Sequence, residues 1–331
     1  MTLGEWLLIE TLSSPETWSV LTVGTVPRQW KSLARTVPAR LLPVVTAAYD
    51  GREPVDRELP RSRHPWSQQR ARALPLIGPG GAVHGVLFRV GDAPAAPPPV
   101  APFLMDARTR RTEVLWTGLG PAFDRGRSVW VGAESFEHIE RFDGALDLVA
   151  TVSRAEPGAR WLGTCTARTP DGLRTLLVAT RNTADPQCWR GLLADVTESV
   201  PAQGKSFEAA TVDTLVNTNP GLYLAVVDTA RIRVIRWISA PLPGLRWTGE
   251  TDERTLPHPA DRPRILAART DILSGTRFHT IPALRLAATT GDWLTIDVEI
   301  SPLPYGPSDN TPPQFALVRI TLPPAPDTPA Q

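Results

Sequence analysis

Histidines, cysteines and paired carboxylates are the residues of this chain that could do chemistry, and each stands in a setting with a plain structural use as well. His138 falls among Phe136, Ile139 and Glu140, whose spacing predicts a helix, and a helical imidazole facing a domain interior is a ligand type for haem iron. Its plain alternative is a solvated or hydrogen-bonded histidine. His258-Pro259-Ala260-Asp261 leads into a helical run, so Asp261 is expected to cap that helix through its carboxylate while His258 fixes the turn. His64 and His279 fall in polar loops or at strand ends, and His84 within a hairpin. Asp292 and Asp297 are the best carboxylate pair, but their odd spacing on a strand puts them on opposite faces.

Catalytic and phosphate motifs are missing. The chain has no H-E-x-x-H, G-x-S-x-G, S-x-x-K or C-x-x-C. Gly204-Lys205-Ser206 resembles the end of a phosphate loop, but Ser199 stands where that loop needs glycine. Gly78-Pro79-Gly80 has Val83 in place of the third glycine of a dinucleotide fingerprint, and it joins strand to strand. Cys165 and Cys188 fall on the first and third of three consecutive antiparallel strands. The strand between them sets them about 9–10 Å apart, beyond disulfide reach, so both are expected to be free core thiols in a reduced compartment. Trp116, Trp161, Trp189, Trp237 and Trp293 lie on or beside strand-like runs, where the ring packs in a core and the indole N–H needs a partner.

The elements that must position these residues follow from composition and patterning. The chain has 331 residues with 35 basic and 34 acidic side chains, a balance that gives no bulk field to gather nucleic acid or an anionic membrane. No stretch approaches the roughly 18 apolar residues of a membrane span, and the first residues lack the basic start of a signal peptide, so a cytoplasmic location is expected. Its 35 prolines are about twice ordinary usage and serve as punctuation. The charge-free run 93–102 reads as a polyproline spacer, Pro201 marks a second junction, and 323–331 reads as a flexible tail. Domains are thereby expected at 1–92, 103–200 and 206–322.

Strand-like runs cover Trp6 to Thr11, Ser19 to Val23, Arg72 to Ile77 and Val83 to Val90, with a helical pattern from Leu41 to Tyr49. Hairpin-like runs at Phe103 to Asp106 and Thr112 to Trp116 precede a helix at Leu146 to Val152. Strands at Arg160 to Arg168, Leu173 to Arg181 and Cys188 to Thr197 follow. The last segment repeats the plan. Helices are expected at Phe207 to Val216 and Asp261 to Ser274, and strands at Leu222 to Asp228, Arg233 to Ile238, Ile281 to Ala288, Leu294 to Ser301 and Phe315 to Thr321. A topology used more than once favours a tandem array over one large enzyme fold.

Arg168-Thr169-Pro170-Asp171-Gly172-Leu173-Arg174, followed by Trp189-Arg190-Gly191-Leu192-Leu193-Ala194-Asp195-Val196-Thr197-Glu198, resembles the C-terminal half of a PAS domain. His258-Pro259-Ala260-Asp261-Arg262 resembles the lead-in to a PAS helix, with Gly291-Asp292-Trp293 near the matching hairpin. The whole chain, including Trp6-Leu7-Leu8-Ile9-Glu10-Thr11-Leu12, is similar to actinobacterial, mycobacterial-type sensor-domain proteins with one GAF-like and two PAS-like domains. The resemblance implies an α+β fold of three small domains, each an antiparallel sheet with flanking helices, the GAF-like one first, and no attached kinase, cyclase or DNA-binding module. It supplies no catalytic residue. Both cysteines lie on strands, so the covalent flavin chemistry of some PAS domains is not expected. The cofactor stays unassigned, with haem at His138 as the one candidate.

The function expected on this reading is a non-enzymatic sensor or scaffold. Its partners would be signalling proteins, with a small-molecule ligand and a homodimer as options. A structural interaction module without ligand, and an enzyme with an unfamiliar site, are the alternatives.

Overall fold

A computed structural model describes residues 4–247, 256–304 and 313–322. The expected tail at 323–331 lies outside the described residues. The fold is α+β, with three antiparallel sheets and few helices.

The first sheet is built from β1 (Leu7–Glu10), β2 (Ser19–Val23), β3 (Val26–Ser32), β4 (Val55–Glu58), β5 (Arg70–Ile77) and β6 (Val83–Val90), in the order β3-β2-β1-β6-β5-β4. Helices α1 (Leu33–Thr36) and α2 (Leu42–Gly51) interrupt it. The second comprises β7 (Val100–Asp106), β8 (Arg111–Val114), β9 (Val129–Val131), β10 (Ile139–Arg141), β11 (Arg160–Thr169), β12 (Gly172–Asn182) and β13 (Cys188–Asp195), with α3 (Ala145–Arg154). Its order is β10-β11-β12-β13-β7-β8-β9. The third holds β14 (Leu222–Asp228), β15 (Arg233–Trp237), β16 (His279–Ala287), β17 (Trp293–Pro302) and β18 (Phe315–Thr321), with α4 (Phe207–Thr218) and α5 (Arg262–Leu273), in the order β15-β14-β18-β17-β16.

One plan underlies all three. An opening hairpin or meander and a closing meander are joined because the first strand pairs with the last: β1 with β6, β7 with β13, and β14 with β18. The repeat expected from the later segments therefore extends to the first. The strands not expected from the sequence, β3, β4, β9 and β10, are all sheet edges, and in β3 and β4 Arg, Lys, Asp and Glu side chains blunt further pairing and hide the strand period.

The chain divides into two compact units, one of residues 1–130 and 138–204, the other of 131–137 and 205–331. In the first unit two sheets pack face to face. Leu7 and Ile9 of β1 face α2, joining Val20, Val86, Phe88, Val45 and Ala48. Leu8 points the other way and joins Trp6, Leu21 and Leu87 against Val100, Leu177, Ala179, Leu192 and Ala194 of the second sheet. A strand covered on both faces needs an unbroken apolar run, which is what Leu7-Leu8-Ile9 supplies. On the far face of the second sheet Phe103, Trp161, Cys165, Leu176 and Val178 form another core.

Residues 93–102 consequently do not hold the first sheet off the second. Val100 opens β7 and is buried between the sheets, and the Trp6 indole N–H donates to the Ala95 carbonyl at 3.2 Å. Ala93 to Pro99 stay mostly exposed, and only Val100 to Pro102, the start of β7, are buried. The helix expected around Phe136, Ile139 and Glu140 is also replaced. Gly132–Phe136 is a 3-10 turn and Ile139–Arg141 pairs with β11 as an edge strand. Two apolar residues cannot separate the two periods, and the sheet edge decides.

In the second unit Ala225, Trp237, Ile281, Leu284, Ile296, Val298 and Ile320 pack on Ala268 of α5, with Ala133 from the 3-10 turn in the same core. Ser206 caps α4 by accepting from the Ala209 N–H at 3.2 Å, and Lys205 pairs with Asp213. The Gly-Lys-Ser signal is thus absorbed by a helix start.

Candidate functional site

The seam between the first two sheets is apolar through its middle and polar at one end. Glu10 closes β1 two residues beyond Leu8, so alternation turns it toward the second sheet, and it is fully buried. Its Oε2 accepts from the Leu12 N–H at 3.0 Å, and its Oε1 has no partner. Burial pushes the carboxyl up to about 7, against the pull of the Leu12 amide and the Arg181 charge.

Arg181 on β12 and Arg190 on β13 lie directly opposite each other, on the face that carries Leu177, Ala179 and Leu192. Arg181 Nη1 donates to Ser13 Oγ at 2.7 Å and Thr17 Oγ1 at 3.3 Å, both on the loop that follows β1. Together with Leu12, Asn182, Thr183, Ala184 and Gly158, Ser13 and the two arginines line an open cleft of about 520 Å³. Asn182 Nδ2 donates to the Glu156 carbonyl at 2.6 Å, which leaves its buried Oδ1 without a partner.

His84 sits at an irregularity where β6 loses register with β5, between the pairs of Val83 and Gly85. Its Nδ1 lies 3.2 Å from the Gly191 carbonyl, so Nδ1 carries the proton, and Nε2 is a buried acceptor with no partner. Burial lowers the imidazole to about 4. Gly78 has to be glycine, since a Cβ there would stand 2.4 Å from the ring. The arrangement brings two guanidinium groups and hydroxyls to an open cleft, with a carboxyl and an imidazole held near neutrality inside the seam.

The residues singled out by sequence fall elsewhere. His138 is half-buried in the turn before β10, with its carbonyl accepting from the Arg168 N–H at 2.9 Å; the helix expected to carry it is not formed. Cys165 is buried on β11, Cys188 is half-buried on β13 with β12 between, and both are free. Asp292 lies in a turn, while Asp297 on β17 accepts from the Ala283 N–H at 2.8 Å. His64 stacks on Trp66, and His279 Nδ1 is 2.8 Å from Asp271 Oδ2.

Asp261 does not cap α5. The imidazole of His258 takes that role one turn earlier, accepting from the Ala260 N–H at 3.2 Å. The Asp261 carboxylate instead receives Arg285 through its backbone N–H at 3.1 Å and its Nε at 2.9 Å. Those bonds hold the carboxyl at about 2. Asp261→Asn is expected to lower the urea midpoint at pH 7. It is also expected to remove the stability that the parent loses as pH falls from 3.8 toward 2, because an acid depressed in the folded state stabilises only while ionised.

The tryptophans divide too. Trp161 donates to Asp147 at 2.8 Å, whereas the buried indole N–H groups of Trp116, Trp189 and Trp237 have no partner. Trp293 is not core but exposed, against His258. Among the described residues no helix is long and apolar enough to cross a membrane, and no group of three His, Cys, Asp or Glu could hold a metal ion.

The chain is similar over 96% of its length to an uncharacterized protein from Mycobacterium tuberculosis known by crystal structure, with 96% of that chain covered, 19% identity and a TM-score of 0.70. It is similar over 30% of its length to the PAS-B domain of Drosophila melanogaster Cycle with bound ethylene glycol, covering 97% of that domain at 8% identity and a TM-score of 0.25. It is also similar to an RNA-binding light-oxygen-voltage receptor over 67% of this chain and 92% of that one, at 11% identity and a TM-score of 0.26. The fold comparison rests on the mycobacterial structure. No curated protein sequence matches. Residues 5–99 match the N-terminal domain described as Rv3651-like, and residues 211–323 match the Rv3651-like C-terminal domain. With both ends matched, together more than half of its length, the chain belongs to the Rv3651-like family.

Proposed function

We propose that this chain is a non-enzymatic cytoplasmic sensor or scaffold of tandem GAF-like and PAS-like domains, whose first unit takes a small molecule at the polar end of its two-sheet seam. The observation that carries the reading is that end itself: an open cleft lined by Arg181 and Arg190, whose charges act on Glu10 and His84, each buried with an unpartnered acceptor atom. Buried groups left unsatisfied in a well-packed seam suit a site that is completed by something else. A ligand that bridges the two sheets shifts the chain between states only if it binds one of them better, and that difference would be read by a signalling partner.

The test is a metabolite screen on the full chain, read by native mass spectrometry and by melting temperature. A bound metabolite that raises the melting point and alters hydrogen exchange beyond the cleft supports sensing. If no metabolite shifts mass, melting or exchange, the sensing reading fails. The interaction-module reading draws on α4, which buries none of its residues and exposes Phe207 and Leu215.

A further inference from the structure

We infer that the cleft is an oxyanion site, built so that Arg181 and Arg190 together hold a small carboxylate or phosphate. This rests on the proposed ligand-binding role of the seam and names the chemical class of its ligand.

Two arginines directly opposite across a strand pair repel each other, and such pairs destabilise a sheet when nothing discharges them. Here nothing does so within the described residues, because neither guanidinium has a carboxylate oxygen within ion-pair distance of 4.0 Å. Arg181 is held in place by Ser13 and Thr17. Both partners are neutral hydroxyls, which fix the direction of the fork and leave its charge unspent. The Glu10 carboxyl, which feels the Arg181 charge, is buried within the seam and makes no ion pair with either arginine, and burial holds it toward its neutral form. Arg190 comes from the adjacent strand with the same facing, and both open on a cleft whose size suits a small metabolite. Paired planar forks match the oxygens of a carboxylate or phosphate bidentately, a geometry that lysine does not reproduce.

The experiment titrates the full chain with inorganic phosphate and, separately, with succinate, against sodium chloride at equal ionic strength, reading melting temperature and calorimetric heat. Saturable binding and a rise in melting temperature beyond the chloride control are expected with at least one of the two anions, and which one identifies phosphate or carboxylate chemistry. Arg181→Gln and Arg190→Gln are each expected to weaken that binding at least tenfold. Arg190→Lys, which keeps the charge and loses the fork, is expected to weaken it by less. Circular dichroism checks that each variant is folded, and the Lys variant keeps the test open if a Gln variant is not. No shift beyond chloride with either anion, or equal binding by parent and arginine variants, overturns the proposal. Binding of an uncharged metabolite in this cleft, untouched by the arginine variants, overturns the oxyanion class and leaves sensing standing. Arginine-dependent anion binding with no change in hydrogen exchange outside the cleft supports the oxyanion class and overturns sensing.

Discussion

Replacing Glu10 with Gln is expected to turn a level stability profile between pH 4.5 and 6.5 into one that climbs with pH. The two buried groups at the end of the seam work in opposite directions. Glu10 has a folded value of about 7 against an ordinary 4.5. Between those values the folded chain holds a proton that the unfolded chain has released, so stability falls as pH rises through the window. His84 has a folded value of about 4 against an ordinary 6.5. There the unfolded chain holds the extra proton, and stability rises with pH. Each displacement is worth about 3 kcal/mol when fully developed, at about 1.4 kcal/mol per pH unit. Over the shared range the slopes cancel. Glu10→Gln leaves the histidine alone, so stability should rise by about 3 kcal/mol from pH 4 to 6.5 and then level off. His84→Gln leaves the carboxyl alone, so stability should fall by a similar amount, about 3 kcal/mol, from pH 4.5 to 7. Asp261 titrates below this range and does not disturb it. Urea unfolding at half-unit pH steps measures all three profiles. If the variants run parallel to the parent, the two groups are not the buried pair described here.

Much of the scaffold was legible because local pattern decides it. Leu222–Asp228 and Phe315–Thr321 keep the bounds their β-branched and aromatic runs suggest, as these strands lie at the centre of the third sheet where pairing on both sides makes the run unambiguous. The edges β3, β4 and β10 were not legible, since an edge strand keeps its charges in water and carries little period. The candidate site was less legible still. Glu10 looks like the polar end of a strand until Arg181, which reaches back to Ser13 across 168 residues of chain, shows what covers it. A signal was present nonetheless: Glu10 shares its face with Leu8, and a run buried on both sides leaves an acid on either face without water. Asp261 shows the opposite failure. Its local grammar is that of a helix cap, and a longer-range Arg285 outcompetes the helix N–H groups because a charged, forked donor makes the stronger bond.

Gly191→Ala is expected to destabilise the first unit by about 3 kcal/mol, the reverse of what a strand glycine ordinarily does. Alanine in a strand interior normally gains stability over glycine by restricting the unfolded chain. At this position the added methyl meets matter on two sides. It would stand 2.1 Å from Cζ of Phe103 and 2.7 Å from the carbonyl oxygen of Ala179. Phe103 is buried in the core on that face, and Ala179 is backbone of the neighbouring strand. Neither can swing away freely, and β13 cannot retreat, because it is paired with β12 on one side and β7 on the other. Any shift of β13 also draws the Gly191 carbonyl from His84, so the polar end of the seam loosens along with the core. The steric account has its own control. Phe103→Leu removes most of the ring and should by itself destabilise, yet combined with Gly191→Ala it should cost less than the two single changes added together, by at least about 1 kcal/mol. Urea unfolding of the four proteins in this cycle gives the coupling directly. Additive losses would mean that the methyl is resisted by the backbone of β12 rather than by Phe103, and a gain in stability for Gly191→Ala would show that the second sheet can open at β13 without strain.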